Sequence, residues 1–289
     1  MANATRGARP VKDSSIAEYY SEHVFTGTSI DQYVETWRAW LTTSNNKSLS
    51  GLDKFTYAHY TQGTSQSFDN FAIRNSKSKT IVTLHGEFQY HQCLGKHFNF
   101  TTLTVDELMR ASEQDAYALL ISAPFSDMGN THPNFDSIMD LCNKLDIPVC
   151  LDLAYWGIAK DVHIDLSLYP AIKEVVCSLS KPFHTLETHR VGIRFAVEYF
   201  DDGISMLNEV DMNNCYSMSL GIHYMTRYSS DYMWETYGDK YNTICEKYKL
   251  AYCNTVIFGI SSADADIQYN RGLPNHHRLC VSQYLTEQD

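Results

Sequence analysis

Apolar positions along this chain recur with two different periods. From Ser29 to Leu41, the residues Ile30, Tyr33, Val34, Trp37, Trp40 and Leu41 repeat at helical spacing, and Thr28 or Ser29 can cap the start. Residues 1–28 read as a partly ordered arm, and a Ser/Asn/Lys/Gly loop (TTSNNKSLSG) follows the helix. Residues 54–61 (KFTYAHYT) are strand-like, and 62–75 read as a turn entering a helix. Short runs that are apolar throughout then fall at 80–86, 118–125, 147–155, 174–181 and 190–197. Between them lie two amphipathic stretches. One spans 104–115, where Thr104 and Glu107 have capping-box spacing. The other spans 133–146 and opens with proline, its apolar face formed by Phe135, Ile138, Met139, Leu141, Cys142 and Leu145. Strands apolar on both faces belong to a sheet covered on both sides by helices, so the pattern predicts an α/β chain with a parallel or mixed sheet. Residues 201–250 read mostly helical. The runs 254–260 and 276–285 are strand-like and suit a small second lobe.

Composition narrows the function classes. With 289 residues and 44% hydrophobic content, the chain can bury one large domain or two lobes. A formal net charge of -11 argues against non-specific nucleic-acid binding and against an anionic membrane as partner. No apolar run is long enough to span a bilayer, and the first residues lack an apolar signal core, so a cytoplasmic protein is expected. The eight cysteines stand singly, without a CxxC pair, and several sit in apolar runs. They read as reduced core residues, with no metal site expected.

Ligands of open α/β sheets bind at the carboxyl ends of the strands. The polar residues that end the apolar runs are therefore the candidates: Gly63, Thr64 and Ser65, the segment around Phe88, Ser126, Asp152 with Tyr155, Ser178 and Ser180 with Lys181, and Arg190. Each alone is weak evidence, but their order and chemical types together are much less common.

The run SLSKPFHTLETHRVGIRF, with Lys181 after Ser-x-Ser and an Arg-Val-Gly at Arg190, resembles the lysine signature of the fold-type I pyridoxal 5'-phosphate (PLP) aminotransferases of class I/II. LDLAYWG resembles the family's Asp-x-Ala-Tyr segment, and ISAPFSDMGN lies where the family has its Asn-Pro-x-Asn-Pro-Thr-Gly turn. TQGTSQSFD resembles the first phosphate-binding turn, and HHRLCVS the substrate-carboxylate arginine segment. The resemblance runs from about residue 54 to 284 in the family's order.

The resemblance implies a PLP-transferase-like fold, with a mostly parallel seven-stranded sheet between helices. It divides the chain into an N-terminal arm and helix (1–50), a large cofactor-binding α/β domain (51–200) and C-terminal helices with a reduced small domain (201–289). It implies PLP as cofactor, carried on Lys181 as a Schiff base, since a partly desolvated lysine is readily deprotonated and nucleophilic. Asp152 then faces the pyridine nitrogen and keeps it protonated, and Tyr155 bonds the phenolic oxygen. Gly63, Thr64, Ser65, Ser178, Ser180 and Arg190 form the phosphate cup, where amides at a helix start and a guanidinium suit a dianion. Phe88 stacks on the ring, with Tyr90 the competing aromatic, and Arg278 forks onto the substrate carboxylate.

The chain also departs from the family pattern. Ser126 stands where an asparagine is expected, Arg190 lies nine positions after Lys181, and the small-lobe segments are trimmed. The expected activity is transfer of an amino group between an L-amino acid and a 2-oxo acid by a homodimer. The alternatives are a PLP lyase, decarboxylase or cyclase of specialised metabolism, and a non-catalytic relative that only binds.

Overall fold

A computed structural model describes Met1 and residues 4–287. The N-terminal region, read as an arm, contains a helix, α1 (Ser14–Ser21), because Asp13 accepts a hydrogen bond from the Ser15 amide and caps its start. The next helix, α2 (Ile30–Thr42), is capped by the Ser29 hydroxyl and buries Tyr33, Trp37, Trp40 and Leu41, four of the six residues on the predicted apolar face. Within the expected loop after it, β1 (Ser48–Ser50) pairs in parallel with β7 (His163–Asp165).

The central sheet is built from β2 (Tyr57–Gln62), β3 (Thr80–Leu84), β4 (Phe100–Leu103), β5 (Tyr117–Ser122), β6 (Val149–Asp152), β8 (Ile172–Ser178) and β9 (Val191–Ala196). Its spatial order is β2-β9-β8-β6-β5-β3-β4. Ladders among β4, β3, β5, β6 and β8 are parallel, while β9 runs antiparallel to both β8 and β2. The expected mostly parallel seven-stranded sheet is thus present. Strand β4 was not legible in the pattern. It is an edge strand, every residue of it only half buried, so it carries no apolar run.

Helices α3 (Thr64–Asn75), α4 (His91–Leu94), α5 (Val105–Leu108) and α6 (Phe135–Lys144) link the parallel strands. The helix expected over 104–115 is cut to α5. The Thr104–Glu107 capping box forms as predicted, but the Ser112 amide and hydroxyl turn to the Asp115 carboxylate and end the helical run. The mostly helical stretch resolves into α7 (Gly203–Glu209), α8 (Cys215–Arg227) and α9 (Tyr232–Tyr248). The last strands, β10 (Phe258–Ser261) and β11 (His277–Cys280), form an antiparallel pair. One hydrophobic cluster extends from Val11 to Leu285 and a smaller one lies under α3. Among the described residues no cysteine is in a disulfide, no His/Cys/Asp/Glu group could hold a metal, and no helix is long and apolar enough to cross a membrane.

Candidate active site

The parallel strands all end on one rim, and antiparallel β9 brings its first residues to the same rim. That direction reversal joins Arg190 to the turn after β2, since Gln62 pairs with Val191. A cavity of about 250 Å³ opens there. Its wall includes Thr64, Ser65, Phe88, Tyr90, Ser126, Asp152, Tyr155, Ser178, Ser180, Lys181 and Arg190. Every candidate except Gly63 and Arg278 therefore lines one cavity.

Gly63 lies directly behind the wall. Its φ of 75° lies in the left-handed region, and an added Cβ would sit 2.6 Å from Arg190 Nη2. The guanidinium lies over the glycine and donates to Ser65 Oγ at 2.8 Å. Arg190 itself has φ 56°. Beside it, Ser178 Oγ donates to Ser180 Oγ at 3.0 Å and accepts from the Ser180 amide at 3.2 Å. The start of α3, three hydroxyls and one guanidinium form an anion cup.

Asp152, the last residue of β6, is buried and accepts from the Ala154 amide at 2.9 Å. Burial pushes its carboxyl up to about 8, and the charge of Glu87 adds to the rise, while the Ala154 amide and Lys181 act in the opposite sense. Such a carboxyl is suited to a cationic N–H partner. Ser126 Oγ is buried with no hydrogen-bond partner. That orphan in the cavity wall, and a glycine whose side-chain space the Arg190 guanidinium fills, fit a bound group rich in acceptors.

Phe88 and Tyr90 stack on each other, ring centroids 6.0 Å apart. Tyr90 is tied down, donating to both Asp69 oxygens at 3.0 and 2.8 Å, so Phe88 is the ring left free to cover a ligand. Arg278 is fully buried and stands behind Tyr155, not in the wall. It donates to Tyr155 Oη at 3.2 Å, to the Ser126 carbonyl and to the Arg6 carbonyl at 3.0 Å.

Two features escaped the sequence reading. First, the arm passes over the site. Thr5 bridges Cys280, the Arg6 carbonyl faces Arg278, and the Ala8 carbonyl accepts from Lys181 Nζ at 3.2 Å. Second, Glu87 is buried next to Phe88, bonded to Ser122, which also lines the cavity. Nothing in HGEFQYH separates that glutamate from a surface residue.

No known family profile matches the chain, and no curated protein matches it in sequence. Solved structures do match. Aspartate aminotransferase from Thermus thermophilus with maleate superposes with a TM-score of 0.68 at 13% identity, over 97% of this chain and 86% of that one. This is the fold of the type I PLP-dependent enzymes. Aromatic aminotransferase from Pyrococcus horikoshii has a TM-score of 0.66 at 14% identity, covering 98% of this chain and 91% of that one. The PLP-bound C-S lyase from Staphylococcus hominis has a TM-score of 0.68 at 10% identity, covering 94% and 83%. At these identities the likeness establishes the fold, and the type I fold holds enzymes of more than one reaction class.

Proposed function

We propose that this chain is a PLP-dependent enzyme acting on an amino acid, and that it passes the amino group to a 2-oxo acid. The observation that carries the reading is the convergence of Lys181, Asp152 and Arg190 on one cavity, with Ser126 Oγ unpartnered in its wall.

Under this reading Arg190, Thr64, Ser65, Ser178 and Ser180, with the Gly63 turn, hold the phosphate. Asp152 holds the proton on the ring nitrogen, and burial makes the pairing strong because neither partner is then competed for by water. Tyr155 and Ser126 face the phenolic oxygen, and Phe88 covers the ring. Lys181 Nζ would be the amine that takes the aldehyde carbon, the aldehyde oxygen leaving as water, and would hold and return the proton of the substrate's α-carbon. Bound there, PLP supplies an electron-poor ring that draws density from that carbon. Arg278 takes the substrate carboxylate, which requires the Arg6 carbonyl to give way. A homodimer belongs to the same reading. It is supported by the exposed apolar residues Phe25, Met206, Val210 and Met212.

A second reading, elimination or decarboxylation on the same cofactor, is favoured by Ser126. A serine hydroxyl is shorter than an asparagine amide and donates one hydrogen where the amide has two, so its hold on the phenolic oxygen differs. One experiment separates the readings. Purified protein is mixed with PLP, its visible absorbance recorded across a panel of amino acids, and products identified by mass spectrometry with and without a 2-oxo acid. Amino-group transfer requires continued turnover only with the acceptor present, and without it no more than one product per bound cofactor. Turnover without it replaces transfer by the second reading, and absence of any PLP binding ends both.

A further inference from the structure

Glu87 stands immediately before Phe88, the first of the two aromatic residues of the cavity wall, in the turn that follows β3. Its carboxyl is fully buried, yet it is not paired with a lysine or arginine at ion-pair distance. Instead it accepts from three donors on two residues, the Ser122 hydroxyl being shared between its two oxygens. Oε1 accepts from the Ser122 amide at 2.6 Å and from Ser122 Oγ at 2.9 Å. Oε2 accepts from Ser122 Oγ at 2.8 Å and from the Phe88 amide at 3.0 Å. Ser122 ends β5, the neighbour of β3 in the sheet, and pairs in register with Asp152. One side chain therefore clasps the ends of two adjacent strands. Both of the groups it holds, Phe88 and Ser122, face the cavity.

Each carboxyl oxygen accepts a backbone N–H, one from Ser122 and one from Phe88, which an amide with its single accepting oxygen could not do in the same place. Placing a carboxyl within the field of buried Asp152 is costly, because two like charges share one low-dielectric region. The charged groups that act on this pair are Arg271 on the Glu87 side and Lys181 on the Asp152 side.

We propose that Glu87 is a positioning residue of the cofactor site, holding the Phe88 backbone and the Ser122 hydroxyl at fixed places on the wall that covers the cofactor ring. The proposal rests on the PLP reading above for the identity of the ring. The hold itself is a property of the cofactor-free chain. The Phe88 backbone is held at its amide by Glu87 and at its carbonyl by the His91 amide, while its ring packs on Tyr90 and His91.

The test compares full-length wild type, Glu87→Gln and Glu87→Ala by three measurements. These are hydrogen exchange at the Phe88 and Ser122 amides without cofactor, the dissociation constant for PLP, and the visible circular dichroism of bound PLP. Glu87→Ala is expected to speed exchange at both amides, weaken PLP by about tenfold, the scale of one or two lost buried hydrogen bonds, and diminish the dichroism. Glu87→Gln puts an amide nitrogen where one carboxyl oxygen accepts a backbone N–H, so it keeps one of the two backbone bonds, and its affinity is expected to fall about threefold below wild type, between wild type and Glu87→Ala. If Glu87→Ala fails to fold, Ser122→Ala removes the bridging hydroxyl and is expected to weaken PLP several-fold with altered dichroism. Wild-type affinity and dichroism in Glu87→Ala, or in Ser122→Ala, overturn the proposal, as does a Glu87→Gln as impaired as Glu87→Ala. If wild type itself does not bind PLP, the functional reading fails instead, and the exchange data still report whether Glu87 holds the two strand ends.

Discussion

The guanidinium of Arg190 lies across Gly63, so close that a Cβ on the glycine would stand 2.6 Å from Nη2 and 2.9 Å from Cζ. Two residues 127 positions apart thus share one small volume, because the last pair of the β2–β9 ladder, Gln62 with Val191, places them side by side. Gly63→Ala should push the guanidinium off Ser65 and also strain a backbone with φ 75°. The expected result is a stability loss of about 1 kcal/mol from the backbone alone, with a larger loss of PLP affinity. Thermal unfolding and PLP titration measure the two separately.

Arg190→Gln leaves that backbone intact and removes the charge. PLP affinity should fall about 100-fold, as for a lost charge-assisted contact to phosphate, while pyridoxal, which lacks the phosphate, should bind as it does to wild type. Equal loss for both ligands would remove Arg190 from the cup.

Lys181 is the residue expected to become covalently modified. Borohydride treatment of the PLP complex, followed by peptide mass spectrometry, should place the adduct on Lys181 alone. Lys181→Ala should fold normally, since its Nζ gives up only a 3.2 Å hydrogen bond to the Ala8 carbonyl, and should show no adduct. An adduct of equal yield on another lysine would relocate the chemistry.

Asp152 makes stability depend on pH in a definite direction. Burial raises its carboxyl from the ordinary 3.8 to about 8 in the folded chain. The folded state therefore binds the extra proton between those values. The stability contributed by that proton is complete below pH 3.8 and is lost as pH rises through about 8. Glu87, raised from 4.5 to about 7 chiefly by burial, acts in the same sense over a narrower window. Cofactor-free wild type should thus lose stability as pH rises from about 4 to about 8, and Asp152→Asn should flatten that loss while weakening PLP. Parallel pH curves for the two proteins would contradict the assignment of the titration to Asp152.

The arm supplies a fifth test. A variant lacking residues 1–9 loses the Thr5–Cys280 bridge and the Arg6 and Ala8 carbonyls that face Arg278 and Lys181. Its Lys181 should react faster with an amine-directed reagent than wild type, measured by mass spectrometry over time. An unchanged rate would mean that the arm does not shield the lysine.

Much of this architecture was written in local pattern. Apolar runs and helical periods located the main strands and helices, because burial on both faces of a sheet demands unbroken apolar stretches. The order of polar residues after those runs marked the rim, and ten of the twelve candidates line its cavity. What the sequence by itself determined was which residues end which strands. The tertiary structure alone decided three other matters. It set β9 antiparallel, and that reversal carries Arg190 to Gly63. It drew the arm's carbonyls over Lys181 and Arg278, and turned Arg278 toward Tyr155 and Ser126. It buried Glu87 between two strand ends. All three depend on contacts between residues far apart in the chain or on loop burial, and neither leaves a periodic trace in the sequence around it.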